Sequence, residues 1–191
     1  MREGLKHMYD FLRKWFSRIL LVQRTIRIRL KRYMNITSEG LENIHGQTQI
    51  YGREKGTVHL GQRVSTCRGC SLVSVGGRLI IGPYTSFSEN CEVVCHERIE
   101  IGSHCMFGPN VCIYDHDHRF NTEGIQKGFK TGAIIIESNC WIGANVVILR
   151  GTHIGEGCVV GAGTVVKGDI PAHSLVTASR ELVIRSIERR R

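Results

Sequence analysis

The chain has 191 residues, 41% of them hydrophobic and 23% charged, with a formal net charge of +9. That length holds one domain with a real core, and a second full domain is not expected. No run of 18 apolar residues exists and no uncharged apolar stretch with a cleavage site follows the start, so neither a bilayer-spanning helix nor a secretory signal is predicted and a cytoplasmic setting is the default expectation.

The charge is concentrated at one end. Residues 1–35 hold ten Lys/Arg against two Asp/Glu, whereas the other 156 hold sixteen against fifteen. Leu5, Met8, Leu12, Trp15, Ile19, Val22 and Ile26 form a stripe at heptad-like spacing, flanked by Arg13, Lys14, Arg18 and Arg24. This predicts a basic amphipathic helix. It can cap the body of the protein, pack between subunits, or make peripheral contact with an anionic membrane through residues 5–32. Nucleic acid is not an expected partner, because no aromatic-basic groove or recognition motif accompanies the charge.

Beyond this arm the pattern changes to a six-residue period. Counting by six from Ile136 gives Ile142, Ile148, Ile154, Val160 and Val166, all aliphatic. Val75, Ile81, Phe87 and Val93 keep the same count, which resumes after two extra residues at Ile101, Phe107 and Ile113. Leu60, Thr66 and Leu72 carry a weaker version. Neither a helix (3.6) nor a plain strand (2.0) has this period. Three residues after the aliphatic position stand Asn90, His104, Asn110, Asn139, Asn145, Gly151, Gly157, Gly163 and Asp169. Gly and Asn, and less readily Asp, tolerate positive φ, so each hexad reads as a short strand and a left-handed corner. Three hexads close a coil of eighteen residues, and stacked coils make a parallel β-helix whose branched side chains fill the interior.

The eight cysteines fit the same scheme. Zinc needs a second pair to match Cys67-x-x-Cys70, and none is evident. Cys140 and Cys158 are one coil apart and are expected to stack inside, with Cys70, Cys91 and Cys105 in the same small-residue position of the hexad. Reduced packing is expected there, since a free thiol behaves as a small buried hydrophobe. Asn110 and Asn145 read as corner formers, and Trp141 as an outward residue.

The period has one large break. After Ile113 it resumes only at Ile136, and "YDHDHRFNTEGIQKGFKTGAII" fills the gap. A long structureless excursion from a tight solenoid is costly in entropy and is usually functional. It opens with Asp115-His116-Asp117-His118-Arg119, the densest cluster of catalytic-type side chains in the chain. His-x-His with flanking carboxylates suits a general base, or two imidazoles of a metal site.

The hexads resemble the left-handed β-helix acyltransferases. "IGSHCMFGPNV", the inserted loop, "ESNCWIGANVVILRGTHIGEGCVVGAGTVV" and "GDIPAHSLV" are similar to sugar O-acetyltransferases of the galactoside/maltose type, and "DHRFNTEG" resembles the loop of the xenobiotic acetyltransferases. The resemblance implies a homotrimer with active sites between subunits, acetyl-CoA as co-substrate with no metal, and a glycan or sugar acceptor, as in surface polysaccharide or lipid-linked glycan assembly. It implies a catalytic His on the loop, assigned to His118 with His116 as the second candidate and Asp115 beside them. Coenzyme contacts are implied at Gly143, Ala144, Gly161, Ala162, Lys167, Arg180 and Arg185. One departure stands in "ASRELVIR", where Ser179, Glu181 and Leu182 replace the Gly, Pro and basic residue of the family's coenzyme loop.

The organisation read from sequence is therefore an all-β protein: an arm at 1–35, a β-helix at 36–171 interrupted by a loop at 114–133, and an extension at 172–191. Two alternatives to O-acetyl transfer to a sugar share the fold. One is a metal hydratase of the carbonic anhydrase type using His96, His116 and His118, although Ile-Gly-Ala stands where that family has Ile-Gly-His. The other is a non-catalytic docking module; an acetyltransferase acting on a small xenobiotic is a variant of the leading reading.

Overall fold

The computed structural model describes residues 35–40 and 42–178. The predicted arm helix, Ser179, Arg180, Glu181, Leu182 and Arg185 lie outside the described residues.

The described chain winds into a parallel β-solenoid of three faces. Face A stacks seven strands: Ile36–Ser38, Thr57–Leu60, Arg78–Ile81, Arg98–Ile101, Ile134–Ile136, His153–Ile154 and Asp169–Ile170. Face B stacks seven more, from Asn43–Ile44 through Met106–Phe107 and Trp141–Ile142 to Leu175–Val176. Face C stacks six, from Gln49–Arg53 through Cys112–Tyr114 and Val147–Leu149 to Val165–Val166. The last face B strand places residues beyond 171 in the final coil.

The hexad clock predicts most of the inward side chains, although Val75, which it includes, is only half-buried at the end of its strand. Leu60, Ile81, Ile101, Ile136 and Ile154 lie in register down face A, and Ile50, Leu72, Val93, Ile113, Ile148 and Val166 down face C. All are buried. On face B, Phe87 and Phe107 stack with centroids 4.6 Å apart. Each fully buried aliphatic chain contributes about 1.5–3 kcal/mol, and only because the next coil covers it.

Two expectations are corrected. Eighteen residues per coil holds from Ile136 to Ile154, but one turn takes 22 residues from Ile36 to Val58, 21 to Leu79 and 20 to Ile99, then 16 from Ile154 to Ile170. The longer early coils are why the period is faint upstream. The last corner also moves: φ is positive at Gly168, and Asp169 is already in a strand. The other eight predicted corner residues, Asn90 through Gly163, all have positive φ.

The stacked corners explain the asparagines and the thiols. Asn90 Nδ2 donates to Asn110 Oδ1 at 3.3 Å, and Asn110 Nδ2 to Asn145 Oδ1 at 3.1 Å, forming a ladder up one edge. Cys105, Cys140 and Cys158 share one column, while Cys70 and Cys91 share the next corner's. Each thiol donates to a carbonyl of the following coil: Cys105 to Glu137, Cys140 to Gly155, Cys158 to Pro171. Thr85 fills the same column and donates to Gly102 O at 2.8 Å. The position asks for a small side chain that can donate one hydrogen bond inward, and Cys and Thr both meet it.

The excursion is not the structureless loop that the sequence suggested. His116–Asn121 and Gly124–Thr131 pair as an antiparallel hairpin projecting from the corner between faces C and A. Among the described residues no helix is long and apolar enough to cross a membrane.

Candidate active site

Asp115 anchors the hairpin. It is fully buried, and its carboxylate accepts three backbone N–H groups of the preceding coil's corner: His96 and Glu97 at 2.8 Å and Arg98 at 3.0 Å. Successive amides pointing at one anion form a nest, which satisfies a charge that burial would otherwise penalise. Asp115 O also accepts Gly132 N–H at 2.9 Å, so the two ends of the excursion meet. The neighbouring Cys95 thiol is pushed up to about 12 by burial and then by the Asp115 charge.

His116 follows directly, with its side chain 13% exposed. Its Nδ1 lies 3.3 Å from Asp115 Oδ1, at the long end of hydrogen-bond range. With the proton on Nδ1, Nε2 is left as the acceptor. The ring is held by His96 at 4.1 Å, Phe129 at 5.0 Å and Tyr114 at 6.1 Å between centroids. Burial, and then the adjacent His116, lower the pKa of His96. His118 is exposed; its ring meets Phe129 at 4.9 Å and makes no side-chain hydrogen bond among the described residues. Thus Phe129, delivered by the return strand, sits among three imidazoles.

That arrangement bears on the hydratase alternative. The rings of His96, His116 and His118 surround an aromatic side chain, and among the described residues no three His, Cys, Asp or Glu side chains converge as ligands.

The expected coenzyme residues fall into two groups. Gly143, Ala144, Gly161 and Ala162 lie at the corner between faces B and C. Gly143 is buried, and a Cβ there would stand 2.7 Å from Ala162 N, so stacking alone requires the glycine. Gly161 N–H is engaged by Val176 O at 2.8 Å, whereas Ala144 N–H has no partner among the described residues. Lys167 lies at the far end of strand Val165–Val166, beside the hairpin, and is not grouped with the glycines. Asp117 is ion-paired to Arg150.

Three contributions escape the sequence reading: the Asp115 nest, the Phe129 wedge and Arg150. A hairpin was detectable in principle, since alternating His116-His118-Phe120 and Ile125-Lys127-Phe129 flank the turn residues Asn121 to Gly124.

Comparison with known proteins agrees with this architecture. Residues 133–167 match the family described as hexapeptide repeat of succinyl-transferase. The chain is 36% identical over 107 residues to a galactoside O-acetyltransferase of Lactococcus lactis, covering 56% of this chain and 51% of that protein. It is 27% identical over 146 residues to WbbJ of Escherichia coli, provisionally named a lipopolysaccharide biosynthesis O-acetyl transferase, covering 71% and 74%. Among solved structures, AntD, an N-acyltransferase from Bacillus cereus in complex with dTDP and 3-hydroxybutyryl-CoA, superposes with a TM-score of 0.65. At 22% identity over 78% of this chain and 82% of that one, AntD shows likeness of fold alone. The chain thus resembles the hexapeptide-repeat acyltransferases. It spans about half the length of the curated relatives it matches at 36–41% identity.

Proposed function

We propose that the protein transfers an acetyl group from acetyl-CoA to a sugar hydroxyl, in assembly of a surface polysaccharide or lipid-linked glycan, at the inner face of the membrane. The observation that carries this reading is His116, held against the buried Asp115 carboxylate at the root of the hairpin. Geometry favours His116 over the exposed His118 as base. His116 Nε2 takes the proton of the acceptor hydroxyl as its oxygen attacks the thioester carbonyl, and returns it to the departing thiolate. Such assistance contributes roughly 10²–10⁴-fold.

The unpartnered Ala144 N–H suits the oxyanion. Within one copy, however, Ala144 and His116 occupy opposite edges of face C, about 20 Å apart for six extended residues. A site that uses both needs a second copy of the chain. The outward row of face B supports that assembly as a homotrimer: Met106, Trp141 and Leu175 are exposed and in register with Val159. Contiguous apolar surface of this kind marks an interface.

The test is thiol release from acetyl-CoA with a panel of glycans. His116→Ala lowers turnover roughly 10²–10⁴-fold, and His118→Ala by less than about tenfold. A larger loss from His118→Ala would transfer the role of base to His118.

A further inference from the structure

Charge is distributed unevenly over the solenoid body. The described residues contain 11 Lys/Arg and 13 Asp/Glu. Yet an open cleft of about 1220 Å³ between the hairpin and the later coils is lined by five cations: Arg119, Lys127, Lys130, Arg150 and Lys167. Asp117 is the one carboxylate lining it, and it is already paired to Arg150. A body with an acidic balance has therefore placed nearly half of its cations around one cleft. His118 stands in its wall, and Phe120 and Ile125, 80% and 78% exposed, offer an apolar shelf.

We propose that this cleft takes an acceptor glycan bearing phosphate or carboxylate groups. The inference rests on the acetyl-transfer reading for the ligand's role as acceptor, and on the cleft alone for its charge. Lys130 lies directly across the hairpin from Asp117, one residue from His116. His118, two residues beyond the proposed base on the same strand, lines the cleft while His116 itself does not, so the cleft opens next to the base and can hold the remainder of an acceptor whose hydroxyl reaches it. The phosphates of coenzyme A are separated from its thioester by the whole pantetheine arm, so they cannot occupy the immediate surroundings of the base while the thioester reaches it. Within one copy the uncharged corner at Ala144 and Ala162 lies at the other edge of face C. Sugar rings present C–H faces that pack on an aromatic ring such as Phe120, while the cations meet the anionic substituents.

The experiment is calorimetric titration of the full chain with oligogalacturonate, a phosphorylated maltooligosaccharide and neutral maltotetraose, with and without saturating coenzyme A. At least one anionic oligomer is expected to bind in both conditions, more tightly than maltotetraose, and several-fold more weakly as salt rises from about 0.05 to 0.3 M. The double variant Lys127→Gln/Lys130→Gln weakens that binding on the order of tenfold and leaves coenzyme affinity unchanged, while Arg68→Gln changes neither. The proposal is overturned if neither anionic oligomer binds, if maltotetraose binds as tightly, if coenzyme A displaces the anionic oligomer, or if the double variant binds it normally. Failure of coenzyme A to bind at all would instead sink the transfer reading, and the coenzyme-free titration would still decide the charge of the ligand.

Discussion

The solenoid and its hairpin bury their apolar residues to opposite extents. Ile148, in the face C column, is fully buried, whereas Ile125, near the hairpin tip, is 78% exposed. In the solenoid every side chain is specified by the coil above and the coil below, so the sequence must repeat. The hairpin has no such neighbours on most of its length, and its residues are free to serve chemistry. It is tied to the frame at its root, where Asp115 closes on the 96–98 amides, Asp117 pairs with Arg150 and Phe129 meets His96.

That contrast can be sharpened by truncating one isoleucine in each region. Ile148→Ala should cost about 2–5 kcal/mol in denaturant unfolding, because a cavity opens between rigid coils. Ile125→Ala should fall within about 0.5 kcal/mol of wild type. Comparable losses from the two would mean that the hairpin tip is covered by something the single chain does not show.

A smaller effect is expected inside the thiol column. Cys140→Thr keeps the inward donor that Thr85 supplies two coils earlier, and should cost less than about 1.5 kcal/mol. Cys140→Leu overpacks the corner and should cost about 1–3 kcal/mol. Equal tolerance of both would argue against the column's requirement for a small donor.

The smallest effect is a pH dependence at the junction of the two regions. Burial and the facing His116 depress the His96 pKa, with His118 acting in the same sense and Asp115 and Glu54 opposing. The unfolded chain then binds the proton more readily, so stability is full above about pH 6.5 and declines as pH falls through the lower folded value. His96→Gln should flatten that decline in thermal melts between about pH 7 and 5. An unchanged slope would place the titration elsewhere.

The comparison also accounts for what was legible in sequence. Ile136 to Val166 announce the solenoid because each must face a like neighbour one coil away, and Asn90, Asn139 and Asn145 announce its corners because few residues accept positive φ. The early coils were dimmer since 20 to 22 residues blur a period of six. His116 and His118 were found together, but nothing in their spacing separates them. The distinction comes from Asp115, whose partners lie 17 to 19 residues away, and from Phe129 on the return strand. Such contacts depend on the excursion being a hairpin, and that was the one element read as irregular.

The most direct measurement is removal of the hairpin itself. Asp115 O and Gly132 N are already hydrogen-bonded at 2.9 Å, so residues 116–131 can be replaced by an Asn-Gly turn without parting the coils. The account predicts a protein that keeps its β-sheet circular dichroism and melts within a few degrees of wild type, with acetyl transfer reduced at least roughly 10²-fold. Transfer at the wild-type rate from the shortened chain would contradict it.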